Sequence, residues 1–91
     1  MRLLVVKYGE ILSSRIEGRE AALGALAYEQ GLREAHSLEL DFAGVKVMTP
    51  SWLGDFVQTL QSETNLKIHF TNTTNPTVLA SIEAIDEEHR E

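Results

Sequence analysis

The chain has no cysteine, which removes disulfides, thiol catalysis, iron–sulfur clusters and cysteine-based zinc sites together. Basic side chains are scarce as well. Eight Lys and Arg against 14 Asp and Glu leave a formal charge of −6, which opposes binding to nucleic acid or an anionic membrane. No apolar run approaches the roughly 20 residues of a membrane span. The apolar start at Leu3–Val6 gives way at once to Lys7 and Tyr8, too short for a signal peptide. A soluble, cytoplasmic protein is the expectation. His36, His69 and His89 lack metal-ligand spacing, and no glycine-rich phosphate loop is present. Neither metal nor cofactor is expected. Glu39 and Asp41 share one strand face but have no evident acid–base partner, so no catalytic set emerges and the chain does not read as an enzyme.

What is present suits one compact domain over residues 1–91, since 91 residues with 43% hydrophobic content support one core and leave no room for a second. Leu3–Val6 reads as a strand, continuing weakly through Ile11 and Leu12 beyond Gly9. Ser14 stands three residues before Glu17, the spacing of a capping box, which starts a helix near Arg15. Its predicted apolar stripe is Ile16, Leu23, Leu26 and Ala27, with Gly18 and Gly24 as small positions that let the helix lie close to the sheet. Gly31 is a natural stop.

A second strand over Ser37–Phe42 alternates Leu38, Leu40 and Phe42 against Glu39 and Asp41. Val45, Val47 and Met48 return apolar side chains to the core. Thr49-Pro50 then starts a helix, because the residue before proline is pushed out of the α region and proline fits the first helical turn. Trp52, Leu53, Phe56, Val57 and Leu60 line one face of it. A third strand over Leu66–Phe70 alternates again, and Asn75-Pro76 repeats the cap before a helix carrying Val78, Leu79, Ile82 and Ile85. The tail Asp86–Glu91 is charged and expected to fray. The order β-α-β-α-β-α predicts a largely parallel α/β sheet with right-handed crossovers. One sheet face, with Glu39, Asp41, Lys67 and His69, is too polar for a doubly covered parallel sheet; it is either solvated or covered by a partner.

Ligands of parallel sheets favour the carboxyl ends of the strands. Those ends should gather Ser13, Ser14 and Arg15, then Thr49 and Ser51, then Thr71 to Asn75. Ser14, Thr49 and Asn75 are accounted for as helix caps. Ser51 has no such duty, and a phosphate on it would sit on free N–H groups at the positive end of the helix dipole. Arg15 opposes its own helix dipole unless an anion or a carboxylate lies nearby. Trp52 reads as an anchor of the core, with an interface role open to it through its neighbourhood with Ser51.

The segment LDFAGVKVMTPSWLGDF, from Leu40 to Phe56, resembles the signature of STAS domains, the fold of bacterial anti-sigma factor antagonists. Asp41 matches their strand end, Val45–Met48 the turn, and Leu53 and Gly54 the helix that follows; Ser51 falls where the family's phosphorylatable serine lies. The earlier YGEILSSRIEGREA is similar to the family's strand, Gly-Glu-Leu turn and first helix. The Leu-Asp-Phe-x-Gly-Val core with an upstream Ser-x-Arg is similar, more closely, to the STAS-like family of unknown function, whose members stand alone or beside histidine-kinase-like ATPase domains. Thr49, Pro50 and Trp52 stand where the larger family has an acidic residue, its first serine and a glycine.

The resemblance spans Leu3 to Ile85 and implies a STAS-like fold shortened by an N-terminal strand and by the last strand and helix. It implies a non-enzymatic regulatory module that binds another protein, with a histidine-kinase-like ATPase domain as the partner. The implied surface is Thr49, Pro50, Ser51 and Trp52 with Arg15 alongside, and Ser51 is the phosphorylation candidate. The alternative is a small-anion or nucleotide sensor built on the strand-end hydroxyls and Arg15. A shortened sheet also leaves exposed edges, through which a homodimer can form.

Overall fold

The computed structural model describes residues 1–88. Strand β1 (Arg2–Leu4) runs into a 3₁₀ turn at Val5–Tyr8 and then β2 (Ile11–Leu12). Helix α1 (Arg15–Tyr28) leads to β3 (Ser37–Asp41), β4 (Val47–Met48) and α2 (Pro50–Glu63), then β5 (Lys67–Thr71) and α3 (Pro76–Glu88). Of the tail expected to fray, Asp86–Glu88 continue α3, and residues 89–91 lie outside the described residues.

All strand pairs are parallel, as the alternation of strands and helices requires. They form two sheets where one was expected: β1-β3-β5, and a separate pair β2-β4. The division arises at the 3₁₀ turn. It takes the chain away from β3 after Leu4, and Gly9, at φ 132°, redirects it into β2.

Leu38 and Leu40, central in β3, are fully buried with Leu3, Phe42, Leu53, Phe56 and Leu60. The predicted stripe of α2 is the observed one: Trp52, Leu53, Phe56, Val57 and Leu60 are all buried. The stripe of α1 differs. Ile16 is 69% exposed, Leu23 is 46% exposed and Ala27 faces solvent, whereas Gly18, Ala22, Ala25 and Leu26 are buried. The cause is the neighbour. Helix α1 packs chiefly on α2 rather than on the sheet, and at Gly18 the approach is so close that only a residue without Cβ fits. In α3, Val78, Ser81 and Ile85 are buried while Leu79 faces solvent.

The second face of the three-stranded sheet carries Arg2, Ser37, Glu39, Lys67, His69 and Thr71, all at least partly accessible. In the single chain this face is open, as the polar alternation read from the sequence requires of a face not covered by the chain's own helices. The exception on that face is Asp41, only 1% exposed.

Candidate functional site

The β2-β4 pair brings the starts of α1 and α2 together. The Thr49 N–H donates to the Leu12 carbonyl at 3.0 Å, and the Thr49 hydroxyl donates to the Ser13 carbonyl at 2.8 Å. The same hydroxyl oxygen accepts from the Trp52 N–H at 3.3 Å, which makes Thr49 the cap of α2 and its tether to the segment before α1. Ser14 caps α1 by accepting from the Glu17 N–H at 3.2 Å. Both hydroxyls thus have structural duties, as the capping patterns predicted.

Ser51 and Pro50 are exposed in the first turn of α2. Among the described residues the Ser51 hydroxyl makes no hydrogen bond. Arg15 opens the neighbouring helix with its side chain 72% exposed, 3.9 Å from Asp55 of α2. That carboxylate, unnoticed in the sequence, compensates the cation at a helix start; the pair is open to solvent and contributes at most about 1 kcal/mol. Its spacing from Arg15 is 40 residues, so no local pattern announces it.

Of the two roles read for Trp52, anchor of the core and part of the partner surface, the structure gives it the first: it is 1% exposed, which removes it from the surface, and stacks on Phe56 with ring centroids 4.8 Å apart. One helical step of about 100° separates it from Ser51 and turns it into the core. The group that remains is Pro50, Ser51 and Arg15, exposed, with the half-buried Thr49.

The third strand end does not join as a whole. Asn75 caps α3 by accepting from the Thr77 and Val78 N–H groups, at 2.8 and 3.3 Å. Its amide donates to the Val45 and Lys46 carbonyls, and the Thr77 hydroxyl accepts from the Met48 N–H at 3.0 Å, fixing α3 to β4. Thr71 and Asn72 turn instead to the open sheet face. The Thr71 hydroxyl donates to Glu39 at 3.0 Å, and the Asn72 amide donates to Asp41 at 2.8 Å.

On that face Asp41 is held from three sides: by the Asn72 amide, by the Ala43 N–H at 2.9 Å and by the Arg2 guanidinium. These donors, in that order, lower its carboxyl from about 3.8 to about 2. Arg2 also lies 3.5 Å from Glu39. The bond from Asp41 to the N–H two residues on is an Asx turn, readable in Asp41-Phe42-Ala43-Gly44, where Gly44 has φ 88°. The Arg2 partner lies 39 residues away and is not.

A cleft of about 380 Å³ opens beside α1, lined by Tyr8, Ile11, Glu17, Glu20, Ala21 and Trp52 among others. Its glutamates disfavour an anion there. The Tyr8 hydroxyl is buried without a partner among the described residues, and burial pushes its phenol up to about 12, with the Glu29 charge adding to the effect. Among the described residues no three His, Asp or Glu side chains are grouped to hold a metal ion, and no helix is long and apolar enough to cross a membrane.

A parallel α/β fold whose three-stranded sheet is open on one face, with the capped starts of α1 and α2 gathered at the β2-β4 pair, defines the structural class. Within that class, the family described as a STAS-like domain of unknown function (DUF4325) matches residues 26–78, and the chain belongs to it. No curated protein and no solved structure matches the chain.

Proposed function

We propose that this STAS-like domain is a non-enzymatic regulatory module that binds another protein where α1 and α2 begin, and that phosphorylation of Ser51 switches the binding. One observation carries the reading. Ser14 and Thr49 are committed to capping, whereas Ser51 in the same cluster is exposed and its hydroxyl is unused. A phosphate at that position gains from the helix dipole and from the Ser51 N–H, the one donor left in a first turn where Pro50 has no N–H and those of Trp52 and Leu53 are bonded to Thr49, so the fold tolerates the charge. A docked partner, by contrast, has to accommodate it. The proposed partner class, a histidine-kinase-like ATPase domain, rests on the resemblance of Leu40–Phe56 to the anti-sigma antagonist signature.

Titration calorimetry of such an ATPase domain against wild type, Ser51→Ala and Ser51→Asp tests both parts. Wild type and Ser51→Ala bind alike, and Ser51→Asp loses about tenfold in affinity, roughly 1.4 kcal/mol. Equal binding by Ser51→Asp removes the switch, and absence of binding by wild type removes the docking surface. A small-anion sensor has less support, because the Thr49 hydroxyl already donates to the Ser13 carbonyl and the Arg15 cation already faces Asp55. Inorganic phosphate and nucleotides should accordingly leave the melting temperature unchanged.

A further inference from the structure

The outer edge of β5 is unpaired in the sheet order β1-β3-β5, and its geometry is specific. Lys67 donates its N–H to the His36 carbonyl, and the Thr71 carbonyl accepts from the Phe42 N–H. In a parallel ladder the main-chain groups of alternate residues point the same way, so those of Lys67, His69 and Thr71 face β3. Those of Ile68 and Phe70 point outward. The side chains of these two residues lie on the helix-covered face yet remain only half-buried, while Leu38 and Leu40 beside them are fully buried. The helical layer therefore stops short of this edge.

We infer that the occupant of the β5 edge is β5 of a second copy, paired antiparallel about a two-fold axis at His69. In that register Ile68 lies opposite the Phe70 of the second copy. Their outward N–H and C=O groups form a hydrogen-bonded pair, repeated by symmetry, so that all outward main-chain groups of both residues are satisfied. On the covered face each Ile68 packs on a Phe70, an aromatic–β-branched pair that closes the gap left by the helices.

The charges agree. Lys67, which has no ion pair among the described residues, lies opposite the second copy's Thr71. That hydroxyl is bonded to Glu39, which places a carboxylate within reach of the lysine. No like charges stand opposite one another, and the two His69 rings meet at the axis. The result is a sheet of order β1-β3-β5-β5-β3-β1 with every helix on one face. It uses a different surface from the Ser51 site and does not depend on that reading.

Oxidative cross-linking tests the register, because the native chain has no cysteine. The two His69 form the non-hydrogen-bonded pair at the axis, with Cα atoms about 4.5 Å apart, within the range a disulfide bridges. The two Lys67 lie roughly 14 Å apart along the strands. His69→Cys therefore gives a covalent dimer at least about tenfold faster than Lys67→Cys under the same mild oxidant. Sedimentation velocity of the unmodified protein shows a concentration-dependent dimer. It is weakened by Ile68→Pro, which removes an outward donor and leaves the β3–β5 ladder intact. A monomer at every concentration up to roughly 1 mM overturns the proposal, as do equal cross-linking rates for the two cysteine variants.

Discussion

Gly18 of α1 lies directly against the main chain of Trp52 on α2: a Cβ built on Gly18 would stand 2.3 Å from the Trp52 carbonyl oxygen. That single approach sets the separation of the two helices and, through the Thr49–Ser13 tether, how their starts meet at the candidate site. Because the obstacle is backbone, it cannot move aside as a flexible side chain would.

Two glycines of one helix should therefore respond in opposite directions to the same change. Gly18→Ala gains helix propensity of up to about 1 kcal/mol but overpacks the interface, with a net loss of roughly 1–3 kcal/mol. Gly24 meets nothing within 4 Å, so Gly24→Ala raises stability by about 0.5–1 kcal/mol. Urea unfolding of the two variants checks the contrast.

The carboxyl of Asp41 titrates near 2 in the folded chain and near 3.8 without its partners. A depressed carboxyl contributes stability that is present above its unfolded value and disappears as pH falls through the folded one. Thermal midpoints of wild type should exceed those of Asp41→Asn at pH 7, and the gap should narrow between pH 4 and 2 as the wild-type carboxyl takes up its proton.

The raised phenol of Tyr8 works with the opposite sign. The native state keeps its proton up to about pH 12, whereas the unfolded chain releases it near 10, so stability is lost as pH rises between those values. Tyr8→Phe removes that alkaline loss. At neutral pH it also removes a buried hydroxyl with no partner among the described residues, for a gain of about 1 kcal/mol. Chemical unfolding at pH 7 and at pH 11 measures both effects.

The helix starts were legible in the sequence because capping is local: Ser14 with Glu17, Thr49 with Pro50, and Asn75 with Pro76 each carry their signal within four residues. The inward face of α2 was legible because five large apolar residues keep one period. The face of α1 was not. Of its expected stripe only Leu26 is buried; Ile16 and Leu23 point to solvent, and the rest of the packing face is Gly18, Ala22 and Ala25, chosen by the proximity of α2 rather than by hydropathy. Arg2 with Asp41, and Arg15 with Asp55, join positions far apart in sequence, which only the fold brings together. At the candidate site the same local rules that assigned Ser14 and Thr49 to capping left Ser51 without a structural role.

The most direct test of the account is amide chemical-shift mapping of the isotopically labelled domain during titration with a histidine-kinase-like ATPase domain. The largest perturbations are expected on Thr49, Ser51 and Arg15, and they diminish in Ser51→Asp. Perturbations confined to the open sheet face around Arg2 and His69, or none at saturating partner, would contradict it.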